Sequence, residues 1–213
     1  MQKTLIASFA ALIAGGLMAS SAMAADILCD GKKLIIVDKL TTASKAKAVY
    51  VSKDQACGIS KGTSTSTDTA VISAELDVKY GSTSGNWDAP QGASDGQKGW
   101  LVNKATVAKF VNKGAPGTGS TKVAVIKPGK LLKIVGKDLG DSPIDIFGAG
   151  DLTAGSPDVT TVYTVTNDGQ TNRHCGGLDC SYKLIAGDTG AKLVCKSVVA
   201  AGCPASPSGA FID

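Results

Sequence analysis

The sequence predicts an all-β protein, an antiparallel β-sandwich of roughly ten to twelve short strands crosslinked by disulfides. Three observations carry that expectation. The 213 residues include 26 glycines but a single glutamate, Glu75, and a single arginine, Arg173, which is a poor composition for helices. Runs of β-branched and apolar residues recur every ~8–15 positions, separated by Gly, Asn, Asp and Pro. Cysteines number six, an even count that suits a disulfide framework.

The chain opens on a secretory signal. Lys3 supplies the positive start, Leu5 to Met18 the apolar stretch, and Ala22-Met23-Ala24 the small-residue cleavage site, so export leaves Ala25 first. Gly15, Gly16, Ser20 and Ser21 interrupt the apolar run short of the ~20 residues a membrane anchor needs. No other stretch is long enough to span, so residues 25–213 are expected in the periplasm or outside the cell. They are expected to form one β-sandwich domain with a cysteine-rich carboxy-terminal segment, 175–213.

The strands follow in order. Lys33–Asp38 and Ala46–Lys53 flank the polar stretch 40–45. Gly58–Thr69 has the composition of a loop, and Ala70–Tyr80 alternates well. Gly81–Gly99 holds Trp87 among few other apolar residues and reads as a long surface excursion. Gly99–Asn103 carries Trp100, a core residue. Val107–Asn112 and Lys122–Lys127 form a hairpin across the Gly-rich loop 114–120, although Asn103–Val111 fits helical spacing about as well. Leu131–Val135, Ile144–Phe147 and Val159–Thr166 follow, the last closed by the turn signal Asn167-Asp168-Gly169. A turn at Gly187-Asp188 joins Cys180–Ile185 to Lys192–Cys195. The core should include Val71, Leu76, Trp100, Phe110, Val123, Val125 and Ile134. The segment 175–213 should lean on its crosslinks and loosen first on reduction.

Six cysteines allow fifteen pairings. Their clustering suggests Cys29–Cys57 near the start, Cys180–Cys195 across the hairpin, and Cys175–Cys203 outside it. The zinc alternative is weak: Cys175 and Cys180 are spaced C-x4-C beside His174, but Cys195 and Cys203 are too far apart to form a second pair.

Most catalytic chemistries fail on particular residues. The loop 114–121 resembles a phosphate-binding loop, yet Ser120 stands where the lysine is needed. Asp188-Thr189-Gly190-Ala191 resembles the aspartic-protease turn without a second copy to share its proton. His174 is the single histidine, and no Gly-x-Ser-x-Gly elbow accompanies it. No catalytic residue and no metal ligand is assigned, and no cofactor is expected. Calcium is the ion the loops would suit best, through Asp138, Asp141, Asp145, Asp151, Asp158 and Asp168, although no EF-hand pattern is met. The net charge of +4 comes from scattered lysines with 5% aromatics, which argues against nucleic acid.

The residues Gly99-Trp100, Phe110, the block Lys122–Val135, His174-Cys175, Cys180 and Lys192-Leu-Val-Cys195-Lys196 resemble a loose group of exported, β-rich bacterial proteins of unknown function. That group shares a Trp-led hairpin block and a carboxy-terminal cysteine cluster. The resemblance implies the compartment and the β fold, and it brings no catalytic residues.

The expected function is therefore a non-catalytic exported module for surface or extracellular binding or structural interaction. Its ligand is unassigned, with a carbohydrate or an envelope component as the natural class. Trp87 is the candidate contact residue, or else a plug that anchors its loop to the core, which is the favoured alternative. The competing expectation is a secreted hydrolase that uses His174 or a pair of aspartates.

Overall fold

The computed structural model describes residues 25–39, 46–54, 72–104, 107–114, 121–127, 129–137, 143–155, 157–167, 170–187, 189–198 and 202–203. Twelve strands run in chain order: β1 (Ala25–Leu28), β2 (Gly31–Lys39), β3 (Lys47–Ser52), β4 (Ile72–Tyr80), β5 (Thr83–Ala89), β6 (Lys98–Lys104), β7 (Val107–Asn112), β8 (Val123–Lys127), β9 (Leu131–Lys137), β10 (Val159–Asn167), β11 (Gln170–Leu184) and β12 (Gly190–Val198). One helical turn, α1 (Ile146–Ala149), lies between β9 and β10. The signal expected at 1–24, the loop 58–69 and Asp138, Asp141 and Asp168 lie outside the described residues.

All twelve strands belong to a single sheet, ordered β5-β4-β10-β11-β12-β2-β3-β9-β8-β7-β6, with β1 attached to β11 off this path. Every pairing is antiparallel except β1 with β11. The sheet curls until it is nearly closed. Tyr50 in β3 stacks on Tyr163 in β10 with ring centroids 5.9 Å apart, although three strands stand between them along the sheet. The two end strands are also drawn together. The chain leaving β5 hydrogen-bonds to β6, with Trp100 N donating to Gly92 O at 2.9 Å and Ser94 N to Trp100 O at 3.0 Å. The Trp100 indole Nε1 donates to Pro90 O at 2.9 Å. Gly99 makes this approach feasible: its φ is +126°, and a β-carbon there would lie 2.6 Å from Ala93 O.

The expected sandwich is thus corrected to a barrel-like sheet. Alternation places one face of each strand inside, and that requirement is common to both architectures. The difference lies in the pairings β3·β9, β4·β10 and β12·β2, which join strands distant in sequence into one unbroken path.

Inside is one core, built from Leu34, Ile36, Tyr50, Leu76, Trp87, Trp100, Phe110, Leu132, Ile134, Tyr163, Leu178 and Leu193 among others, all buried. Leu76, Trp100, Phe110 and Ile134 lie where expected, and Val71 lies outside the described residues. Val123 and Val125 do not lie in the core. They face outward, and Ala124 and Ile126 point in. Both phases of Val-Ala-Val-Ile are apolar, so alternation alone cannot choose between them.

Further corrections have local causes. The excursion expected over 81–99 contains β5, which pairs with β4 from Tyr80↔Thr83 to Ala74↔Ala89 and buries Trp87 against the core. Its polar residues Ser84, Asn86 and Asp88 occupy the outer face of the strand. Ile144–Phe147 is not a strand. Asp145 caps α1 by accepting from Gly148 N, and the buried carboxylate of Asp38 accepts from Ile146 N at 3.1 Å and Phe147 N at 3.3 Å. This crossover closes one end of the barrel with Ile144 and Ile146. Pro143 runs so near β5 that a β-carbon on Gly85 would meet its carbonyl at 2.5 Å, and the Tyr80 hydroxyl donates to Gly150 O and accepts from Leu152 N. Asn103–Val111 falls on β6 and β7 and their connection.

Three of the four carboxy-terminal cysteines, Cys175, Cys180 and Cys195, sit in the middle of the sheet. β11 lies between β10 and β12, and β12 between β11 and β2. Cys180 faces Cys195 in register and is bonded to it, and Cys175 is bonded to Cys203. Cys29 is disulfide-bonded, and Cys57 lies outside the described residues. The segment from Cys175 to Val198 is thus paired into the centre of the sheet, where a short hairpin leaning on its crosslinks was expected. A disulfide in such a place is worth about 2–5 kcal/mol. The double variant Cys180→Ala/Cys195→Ala should lower the unfolding midpoint of the whole chain in a single transition. Amide exchange checks this: β11 and β12 should lose protection together with β4 and β10, not ahead of them.

Candidate binding surface

The residues singled out for chemistry are mostly turned inward or held in local contacts. His174 sits on the inner face of β11, beside Tyr163 in β10 and Ile27 in β1, and is fully buried. Burial alone pushes its pKa down to about 4, because the charged imidazolium is the form that loses hydration. Tyr163 and Tyr50 share that interior, and desolvation raises both phenols, Tyr50 to about 12. Thr161 stands beside the Tyr50 hydroxyl and directs its own to Gly176 O at 3.3 Å. A histidine in this position does not meet an external substrate. Trp87, 1% exposed, likewise offers no ring face to an outside ligand.

The described aspartates of the candidate calcium set are each held by backbone donors. Asp145 caps α1, and Asp158 Oδ2 accepts from Cys180 N at 2.7 Å. The Thr153 hydroxyl and amide hold the Asp151 carboxyl below its usual range. These three carboxylates have separate hydrogen-bonding tasks.

The informative surface is the outer face of β12, β2, β3, β9, β8 and β7. One row of residues in register crosses all six strands: Val194, Ile35, Val49, Val135, Val123 and Val111. Its neighbour on one side reads Lys196, Lys33, Val51, Lys133, Val125 and Lys109. On the other side stand Lys192, Val37, Lys47 and Lys137. These three rows contain only Val, Ile and Lys, without an acidic residue. The β-branched positions are half-buried, except for Val37, which is buried. Lysine stems can lie along such a surface and keep their ammonium groups in water. At the β6 side the face dips into an open groove of about 470 Å³, lined by Leu101, Val107, Lys109, Val125, Lys127, Leu131 and Lys133.

The remaining outer face differs in kind. Over β10, β4 and β5 it carries Thr160, Thr166, Ser73, Glu75, Asn86 and Asp88, with Lys79 as the cation, and Val162, Thr164 and Asp77 share this phase but are buried. The barrel is therefore two-faced, basic and apolar on one side and hydroxyl-rich and acidic on the other.

Sequence reasoning named every strand of the basic face but not the face itself. The signal was present: in LIIVDK, AVYVSK, VAVIK, LLKIVGK and KLVCK, the phase that does not supply the core is made of Val, Ile, Leu and Lys. Compared with protein families, curated proteins and solved structures, the chain matches none.

The buried imidazole generates an acid sensitivity. Its pKa in the unfolded chain is near 6.5 and in the fold about 4, so between these values the unfolded state binds more protons. The contribution of neutral His174 is complete above about pH 6.5 and is lost as pH falls through about 4. Urea midpoints should therefore decline from pH 7 toward pH 4. The decline should be shallower in His174→Gln, whose amide has the same charge at every pH. Parallel pH profiles for the two proteins would show that carboxylates alone set the slope.

Proposed function

We propose that this protein is an exported, non-catalytic binding module that works through the outer face of β12, β2, β3, β9, β8 and β7. Its partner is an anionic amphiphilic surface of the cell envelope. The single observation behind this reading is the Val/Ile row bordered by lysines, with no carboxylate in the three rows. A purely polyanionic ligand would need the charges but not the apolar row, and an uncharged sugar would need neither the lysines nor their density. An interface of anionic headgroups over acyl chains matches both features, since lysines near such a surface contribute about 1 kcal/mol each and apolar side chains add burial. The export reading draws on the expected signal at Met1–Ala24 and on the disulfides Cys175–Cys203 and Cys180–Cys195, which fit an oxidising compartment. No helix of the described residues is long and apolar enough to cross a membrane.

Co-sedimentation with vesicles tests the proposal. The protein should pellet with phosphatidylglycerol-containing vesicles, far less with pure phosphatidylcholine, and progressively less as salt rises. The triple variant Lys33→Glu/Lys133→Glu/Lys196→Glu should lose binding by more than about tenfold. Lys79→Glu, on the opposite side, should leave it nearly unchanged. Equal retention on both vesicle types, or no retention on either, would overturn the reading.

A further inference from the structure

The acidic side of the barrel holds a cleft whose donors are all oxygens. Glu75 in β4 stands directly across from Asp88 in β5 on one flank and from Thr164 in β10 on the other. Carboxylates directly opposite on neighbouring strands have β-carbons only about 4.5–5.5 Å apart and repel one another. Asn86 relieves little of this, because its Nδ2 donates to Glu75 Oε1 at 2.8 Å and leaves the second oxygen free of that contact. Both carboxylates open, with Ser73, Thr164 and Thr166, onto one cleft of about 220 Å³.

A second observation is independent of the acids. Thr164 lines the cleft yet is only 3% exposed, and its hydroxyl has no hydrogen-bond partner among the described residues. Thr166, one step along, is engaged by Thr171 at 3.0 Å. Buried hydroxyls normally find a partner, so an orphan in the lining of this cleft, in register with Glu75, points to a ligand there. The cation in the same cross-strand row, Arg173, lies beyond Thr164 on β11 and pairs with Asp26 at 3.3 Å.

We propose that this cleft binds a calcium ion. Glu75 and Asp88 would supply the charge, and Thr164 a neutral oxygen. With no nitrogen or sulfur donor the site suits a hard cation. Donors scattered over three strands suit calcium, which accepts six to eight oxygens in irregular arrangements, better than magnesium, which demands a near-ideal octahedron. Only two carboxylates take part, so the affinity belongs to the weak class of extracellular calcium modules, with a dissociation constant of about 10⁻⁴–10⁻³ M. The residues are distinct from the loop aspartates, and the site is independent of the lysine face.

Thermal unfolding of the chelator-treated protein, titrated with calcium chloride, reads the site. The melting temperature should rise saturably over about 0.1–10 mM calcium and respond less to magnesium. Sodium chloride at matched ionic strength should give no saturable rise. Glu75→Gln and Asp88→Asn should each fold, since either substitution removes the repulsion, and each should abolish the rise. Thr164→Val, which keeps the side-chain shape, should weaken the calcium midpoint several-fold, whereas Asp151→Asn should not move it. A shift no larger than that in sodium chloride would overturn the site. So would a saturable shift that survives in both carboxylate variants.

Discussion

Tyr50 and Tyr163 meet face to face because the sheet between them bends through the interior of the molecule. That curl is the constraint on which the other features rest. A flat sheet of these strands would leave Leu34, Leu76, Trp87, Phe110 and Ile134 on an open face. Once bent, the same residues cover one another and need no second sheet. Closure also handles the edges. β5 and β6, the two ends of the hydrogen-bonded path, are brought together by the chain between them, with Gly99 permitting the close approach and Trp100 tying the seam. Exposed edges invite pairing with other chains, and a sheet that nearly closes has little edge to offer.

With the interior filled, the outer face is free to specialise. Six strands from three parts of the chain bring Val, Ile and Lys into continuous rows, and the strands opposite bring Thr, Ser, Asp and Glu together. Such rows are properties of register. A slip of one residue in β2 or β9 would turn Ile36 or Ile134 to solvent and Ile35 or Val135 inward, breaking the core and the outer pattern together. The Cys180–Cys195 crosslink, at a point where β11 and β12 are already paired, holds one such register covalently.

Much of the strand content was legible in the sequence. Val107–Asn112 is found at its expected bounds, and nine other strands overlap the runs that suggested them. β1 and β5 were not legible. β1 is four residues of mixed character whose partner lies far along the chain, and β5, Thr-Ser-Gly-Asn-Trp-Asp-Ala, shows inward only Trp87 and Ala89 as clear apolar residues. The first half of β11 was hidden for a similar reason. It contains Gly176, whose added β-carbon would crowd Cys29 O and Thr161, so a close approach of strands is recorded there by a missing side chain. The basic face could be read only with the register in hand. Single strands show lysines in alternation, and it takes the pairings to show that they border one apolar row. Glu75 and Asp88 were unremarkable in sequence, thirteen positions apart, and only the β4–β5 pairing sets them opposite one another.

The placement of β12 bears on how the chain reaches this state. It lies between β11 and β2, so the last strand joins the first long hairpin to the rest of the sheet. Until β12 arrives, β2 and β3 can pair with each other and with β9, and only the short β1 links them to β11 on the other side. The local hairpins cost little loop entropy, whereas the pairings that complete the barrel span most of the chain. Topologies dominated by such distant contacts fold slowly, on the order of milliseconds to seconds for small β domains. During that interval β2 presents an unpaired, Ile- and Val-rich edge. Its lysines, Lys32, Lys33 and Lys39, would then act as gatekeepers against pairing with another copy, a task they perform before any partner is met.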